Sequence, residues 1–328
     1  MIPSSPKILI AGCGTIGSLF GGLLRKAGHE VTLFGRDWHL RAIESRGLEI
    51  DGIWGHHRAE GFRLATRVRD LSEPYDLILV SVKAYDTRAM IQEVRPYLKP
   101  EGLAIALQNG LGNLEILAET FGPGRSLGGS ILVGARIPGP GRVTVTVYAA
   151  PVVIGPLDPA STGSMEGTRF WASLFSGVGI PCEPTDQILS HLWAKVFYNA
   201  PLNPLGALLQ VHYGALGEEQ ELKAIMDRII DEAFRVAQKM GVTLLWRSAD
   251  EYRDLFYSKL LPATYDHQSS MLQDLERGRR TEIDALNGRI CSYGEELGIP
   301  TPFNEAVTQL IRGREGLRLA STEGLGLG

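Results

Sequence analysis

The chain has 328 residues, 44% of them hydrophobic and 21% charged, enough for two domains that each bury a core of their own. Its net charge of −4 comes without long basic runs, so it carries no electrostatic footprint for a nucleic acid or an anionic membrane surface. Cys13, Cys182 and Cys291 are widely spaced and form no C-x-x-C pair, and neither a signal peptide nor a transmembrane-length apolar run is present; the expected setting is a reducing cytoplasm.

The first apolar run, Lys7-Ile-Leu-Ile-Ala11, reads as a buried strand that leads directly into Gly12-Cys13-Gly14-Thr15-Ile16-Gly17 and a helical pattern from Ser18 to Lys26. In that order each glycine serves a different purpose. Gly12 allows a tight turn, Gly14 lets a pyrophosphate approach the backbone, and Gly17 lets the helix pack closely on the strand. A second strand, Gly28 to Phe34, follows at βαβ distance and favours a dinucleotide site over a glycine turn in some other α/β fold. Its end selects the dinucleotide. An NAD site would place an acid there for the ribose 2′-hydroxyl, whereas this chain has Arg36, whose guanidinium matches the 2′-phosphate of NADP. Asp37 is next in the chain, and a shifted register would bring a carboxylate to the ribose instead.

Leu48 to Leu64 reads as short strands and turns, and the adjacent His56 and His57 point to opposite sides, which suits half-buried imidazoles better than a metal pair. Asp76 to Val82 is the next buried strand, and Lys83 stands beyond its carboxyl end, where open α/β sheets bind ligands; the alternative is a solvated loop lysine. Gly102 to Leu107 is a further strand ending in Gln108-Asn109-Gly110, which puts Asn109 in reach of nicotinamide or substrate unless the pair is a plain turn. From Ser126 to Gly155 the pattern is β, with a turn at Gly139-Pro-Gly-Arg142, and it extends the sheet or caps it. A helix over Gly167 to Phe175 and a short strand over Ile180 to Pro184 complete a first domain of residues 1–186.

Residues 187–328 are expected to be all helical, with helices over Glu218 to Met240, Asp250 to Leu260, Tyr265 to Glu276 and Thr281 to Leu297; Thr281 with Asp284 resembles a capping box. The most informative stretch is Ser190 to Pro204, where Lys195, Asn199 and Asn203 recur every four residues among Trp193, Val196, Phe197, Tyr198 and Leu202. This spacing stacks three polar tips on one helical face between apolar flanks. A lysine so placed is desolvated, with its pKa drawn towards neutrality, and two amides beside it suit a polar anionic substrate. The alternative is a helix docked by its aromatic side with Lys195 reaching out to water. Pro201 predicts a kink or a helix end near Ala200 and a departure of Asn203 from the stripe.

Two blocks, Trp193-Ala-Lys195-x3-Asn199-x3-Asn203-Pro204-Leu205 and the run from Ser269-Ser-Met-Leu-Gln-Asp to Thr281-Glu282-Ile-Asp-Ala-Leu-Asn-Gly288, resemble the ketopantoate reductase family. The resemblance extends to the Gly12 to Gly17 turn, Lys83, Gln108-Asn109-Gly110 and Gly134-Ala135-Arg136. It implies an N-terminal Rossmann-type domain, an all-α C-terminal domain like that of 6-phosphogluconate dehydrogenase, and a cleft between them where NADPH reduces 2-dehydropantoate to pantoate in pantothenate biosynthesis. It further implies that Lys195 is the proton donor and that Asn109, Asn199, Asn203 and Ser270 contact substrate. Gly12, Cys13, Gly14, Thr15, Ile16, Gly17, Arg36, Lys83, Asn109, Ala135 and Glu282 would fall on cofactor or cleft positions, Glu282 serving to orient ribose, substrate or the lysine.

The chain departs from the family pattern at three places that bear on substrate choice. Gln210, His212 and Tyr213 stand near the place of another amide, His267 precedes the Ser269-Ser270 pair where an amide is expected, and Pro201 interrupts the lysine–asparagine segment. Such changes suit a related NADP-dependent reductase of another branched 2-oxo acid, and a third reading is an NADPH-sensing binding protein without turnover. Lys195 together with Glu282 speaks for the enzyme. The expected partner is a small 2-oxo acid, and the sequence leaves room for a homodimer.

Overall fold

The computed structural model describes residues 5–323, with side chains to residue 317. By its packing the chain divides into two units, one of residues 1–108 and 112–191, the other of 109–111 and 192–328.

The first unit is built on an eight-stranded sheet. Its strands are β1 (Lys7–Ala11), β2 (Glu30–Phe34), β5 (Arg63–Ala65), β6 (Tyr75–Val80), β7 (Leu98–Ala106), β8 (Ser126–Ser130), β11 (Val152–Pro156) and β12 (Cys182–Pro184). They lie in the order β12-β11-β8-β7-β6-β1-β2-β5, parallel throughout except where β11 pairs with β8. Near-continuous apolar runs such as Leu77 to Val80, all fully buried, are what strands covered on both faces require. The chain order reverses between β1 and β6, so the carboxyl end of β1, from which the glycine turn issues, lies at the switch point where doubly wound sheets bind ligands.

Helix α1 (Thr15–Lys26) packs between this sheet and a second, smaller one made of β3 (Leu48–Gly52), β4 (His57–Ala59), β9 (Val133–Gly139) and β10 (Arg142–Tyr148). Gly21 and Gly22 make that sandwich thin: a Cβ on Gly21 would sit 2.7 Å from Leu33, and one on Gly22 2.6 Å from Ile50. The β region expected over residues 126–155 therefore does both things, β8 and β11 extending the main sheet while β9 and β10 join the second. Helices α2 (Asp37–Arg46), α3 (Thr87–Val94), α4 (Asn113–Phe121) and α5 (Ser164–Gly177) complete the unit.

The described part of the second unit contains helices and no strand. Its axis is α6 (Ile188–Leu209), which begins in the first unit. Of the kink or helix end expected near Ala200, the end is not found: α6 runs through both Pro201 and Pro204 and stops after Leu209, where Gln210 takes a left-handed φ of 59°. Part of the reason is a contact from a distant segment. Pro204 has no N–H to offer the carbonyl four residues back, that of Ala200, and the buried Asn287 Nδ2 donates to that oxygen instead at 3.0 Å. Asn287 is held in turn by Asn304 Oδ1 (3.0 Å), and Asn304 by Glu232 and the Ile229 carbonyl, a buried polar chain that runs from α6 to α8 (Gln220–Lys239).

Two more expectations are corrected. The helix expected from Tyr265 begins at Ser270, because the Ser269 hydroxyl caps the N–H of Leu272 at 3.0 Å; this α11 covers Ser270–Glu276, after α7 (Tyr213–Leu216), α9 (Ala249–Leu255) and α10 (Leu261–Ala263). The helix expected over Thr281 to Leu297 is broken at Leu286 (φ −101°, ψ −105°) into a 3-10 turn at Ile283–Ala285 and α12 (Asn287–Leu297). Asp284 does not complete a capping box there; it is taken by Arg280 at 2.8 Å and by Arg312 of α13 (Pro302–Glu323) at 2.6 Å. Among the described residues no helix is long and apolar enough to cross a membrane.

Candidate active site

The glycine turn of the first unit folds as its sequence demands. The N–H groups of Gly12 and Cys13 donate to the Phe34 carbonyl at 2.9 and 3.0 Å, drawing the turn across the end of β2. Gly12, at φ +106°, has no room for a Cβ, which would lie 2.6 Å from the Val82 nitrogen, and a Cβ on Gly17 would lie 2.2 Å from the Gly12 carbonyl. Gly14 is different. The nearest atom to a Cβ there is the Ser81 carbonyl at 3.9 Å, so the chain itself does not require glycine at this position. The space in front of Gly14, at the uncapped N-terminus of α1 with no acid in its first turn, is what a dinucleotide pyrophosphate would use.

A buried relay that the sequence pattern does not disclose holds this turn from below. His39 Nδ1 accepts from the Gly141 N–H at 3.1 Å, which leaves the proton on Nε2 to meet Ser18 Oγ at 3.0 Å, and Ser18 meets Cys13 Sγ at 3.2 Å. Burial lowers the His39 pKa and pushes the Cys13 thiol up to about 12, so both stay neutral and the relay holds no charge. Arg36 is exposed at the end of β2 as the N-cap of α2, and Lys83, partly buried, follows β6. Ala135 lies on β9, paired with Val145.

In the second unit the structure brings Lys195, Asn109 and Glu282 together. Lys195 Nζ donates to Asn109 Oδ1 at 2.7 Å, and Asn109 Nδ2 faces Glu282 Oε2 at 3.5 Å. Burial pushes the lysine pKa down to about 8, an effect that the negative Glu282 opposes. Asn109 can reach this place because residues 109–111 are fastened beside Glu282: the Leu111 N–H donates to the Ala285 carbonyl at 2.8 Å. Gly110, at φ +82°, lies so close that a Cβ would come within 2.2 Å of the same oxygen. The Asn-Gly pair is therefore a turn and a placement at once. Glu282 is 9% exposed, on a segment held by Glu315, whose carboxylate accepts the Thr281 N–H at 2.7 Å.

Asn199 stands one turn beyond Lys195, half-buried, and Asn203 another turn on, 7% exposed. Asn203 does not stand alone, for the Tyr213 hydroxyl donates to its Oδ1 at 2.5 Å and the Ser269 hydroxyl to its carbonyl at 3.3 Å. Ser270 is exposed at the start of α11. In the sequence Tyr213 stands out only as a departure from the family pattern, and Ser269 does not stand out at all; the ten-residue separation of Tyr213 from Asn203 carries no periodic signal across the end of a helix.

A doubly wound unit with a glycine turn at its switch point, and a helical unit in which a lysine donates to an amide that in turn faces a carboxylate, define a two-unit dinucleotide-dependent oxidoreductase. Comparison gives the family: the model "Ketopantoate reductase PanE/ApbA" matches residues 8–159 and "Ketopantoate reductase PanE/ApbA C terminal" matches 187–315, and the chain belongs to the ketopantoate reductase family. It is 37% identical to the 2-dehydropantoate 2-reductase of Aquifex aeolicus, over 96% of this chain and 99% of that one. With the reductase of Pyrococcus abyssi it shares 34%, over 95% and 98%. Among solved structures it is similar to a PanE/ApbA family ketopantoate reductase from Ralstonia eutropha JMP134, with TM-score 0.84, 32% identity, and 95% and 99% of the two chains covered. It is also similar to a D-mandelate dehydrogenase in ternary complex with NADH and anilino(oxo)acetate, with TM-score 0.85, 27% identity and the same coverage.

Two glycines of the turn, Gly14 and Gly17, should separate folding from binding. Gly14→Ala is expected to keep the wild-type Tm and to weaken dinucleotide binding about tenfold or more, the equivalent of about 1.4 kcal/mol, whereas Gly17→Ala should lower Tm. A titration of dinucleotide fluorescence beside a thermal melt checks both; unchanged binding by Gly14→Ala would remove the pyrophosphate from that position.

Proposed function

We propose that the chain is an NADPH-dependent 2-dehydropantoate 2-reductase, that Lys195 is its proton donor, and that it acts in the cytoplasm, alone or as a homodimer. The observation that carries the reading is the half-buried Lys195, whose desolvated ammonium has its pKa pushed down to about 8 and donates to Asn109 beside Glu282. The near full-length relation to curated 2-dehydropantoate 2-reductases supports the substrate. Reduced nicotinamide, when bound, supplies the hydride that C2 of the ketone receives.

The residues of the chain do the rest. As C2 becomes tetrahedral, the ketone oxygen gathers the charge of an alkoxide, and Lys195 Nζ passes it a proton, ending neutral until solvent reprotonates it. A lysine with an ordinary pKa near 10.4 would hold that proton too tightly near neutral pH. Burial corrects this, and the negative Glu282 opposes the correction and holds the proton on the lysine more firmly. Asn109 aims the ammonium, while Asn199, Asn203 and Ser270 offer amides and a hydroxyl to the carboxylate and the terminal hydroxyl of the substrate. Gly12 to Gly17 would cradle the pyrophosphate of the dinucleotide, and Lys83, Ala135 and Glu282 would be further cofactor contacts.

The choice of NADPH rests on Arg36. The D-mandelate dehydrogenase of the same architecture is described with NADH, so the fold by itself does not select the phosphate. An exposed guanidinium at the end of β2, where an acid would serve a ribose hydroxyl, favours it.

Lys195→Ala should retain NADPH binding and lose about 10² to 10⁴ in kcat with 2-dehydropantoate, measured as NADPH oxidation at 340 nm. A variant that keeps half of the wild-type kcat would take Lys195 out of the chemistry. Loss of a charge-assisted pair costs about 1.5 to 3 kcal/mol, so Arg36→Ala should raise the Kd for NADPH roughly ten- to a hundredfold and leave that for NADH within about a factor of two. Equal wild-type affinity for the two dinucleotides would reverse the cofactor assignment.

A further inference from the structure

Asn203 is an amide with two faces, an oxygen that only accepts and a nitrogen that only donates, and a substrate meets whichever face is left to it. Here one face is already taken. The Tyr213 hydroxyl donates to Oδ1 at 2.5 Å, and among the described residues nothing accepts from Nδ2. Burial raises the Tyr213 pKa, so the hydroxyl keeps the proton it donates.

Tyr213 is itself held so that it cannot leave. Its N–H donates to the His267 carbonyl at 3.0 Å, and the N–H of Gly214 to the Tyr265 carbonyl at 2.8 Å, two bonds that tie the start of α7 to the 265–267 segment. Gly214 has no space for a side chain, since a Cβ would lie 2.3 Å from the Tyr265 ring. The Tyr213 ring stands edge-on to Tyr198, with centroids 6.0 Å apart, and 5.1 Å from the ring of His267; Tyr213 is 2% exposed. On the Asn203 side, the Ser269 hydroxyl fixes the backbone carbonyl. Two anchored partners therefore hold the asparagine in one orientation.

We propose that Tyr213 is a specificity-determining positioning residue: by occupying the oxygen of Asn203 it makes that amide a donor only, so that the site selects a 2-oxo acid carrying an oxygen acceptor at the matching position. The inference rests on reading the α6 stripe as the substrate site. A hydroxyl or carboxylate oxygen accepts from Nδ2, whereas a methyl leaves it unpaired in a buried place, a loss that a site built for a hydroxyl cannot recover. Without the tyrosine hydroxyl the amide is free to turn and presents either face. The ketone, the hydride and the proton are untouched by this, so the effect belongs to substrate affinity.

The test uses Tyr213→Phe, which keeps the ring and removes the hydroxyl, with 2-dehydropantoate and with 3,3-dimethyl-2-oxobutanoate, the same acid lacking the terminal hydroxyl. The expected result is a KM for 2-dehydropantoate raised about tenfold with kcat changed less than about twofold, and a KM for the second acid nearly unchanged, as the loss of one hydrogen bond predicts. In an Asn203→Ala background the same substitution should have no further effect on the preference. In the ligand-free protein, the side-chain ¹⁵N signal of Asn203, assigned by its absence from Asn203→Ala, should move in Tyr213→Phe. An undiminished preference, an equal loss in the Asn203→Ala background, or an unmoved amide signal would each overturn the proposal. Failure of the wild type to turn over 2-dehydropantoate would count instead against the proposed reaction, and the amide signal would still decide the role of Tyr213.

Discussion

The constraint on which the second unit depends is the burial of one ammonium group. A lysine taken out of water tends to shed its proton, and at Lys195 two neighbours of different kinds act against this, an amide that accepts its hydrogen bond and a carboxylate whose charge opposes the effect of burial. Each neighbour is delivered by a separate piece of chain, so much of the local architecture serves to bring those pieces together. Residues 109–111 are pinned to Ala285, Glu282 sits on a segment held through Thr281 and Asp284 by α13, and α6 stays helical past two prolines with help from Asn287.

The glycine turn is governed by a related economy of space. Gly12 and Gly17 are glycine because the strand, the turn and α1 press on one another, and the neutral relay from His39 through Ser18 to Cys13 supports the turn without placing a charge beneath it. At Gly14 the chain itself leaves a Cβ room, the nearest atom being the Ser81 carbonyl at 3.9 Å. The same residue type thus answers to packing at two positions, while at the third the demand for glycine does not come from the chain's own packing.

Much of this is legible in the sequence, for physical reasons that can be named. Continuous apolar strands and the spacing of the glycines specify the first unit, because a parallel sheet covered on both faces leaves little room for other patterns. The period of four in Lys195, Asn199 and Asn203 is readable because it lies on one helix. What is not legible depends on contacts between distant segments. The donor that meets the Ala200 carbonyl in place of Pro204 comes from Asn287, the late start of α11 rests on the Ser269 cap, the break at Leu286 has no propensity signal, and the pairing of Tyr213 with Asn203 crosses the end of a helix.

The pH dependence of kcat/KM tests the central claim most directly, because it reads the proton on Lys195 in the free enzyme. The general acid works only while protonated, so the wild type should be active below pH 8 and lose activity as the pH rises through the lysine pKa of about 8. Since the charge of Glu282 raises that pKa, Glu282→Gln should move the alkaline limb to lower pH. An alkaline limb near the ordinary lysine value of about 10.4, or one that stays in place when Glu282 loses its charge, would contradict the account.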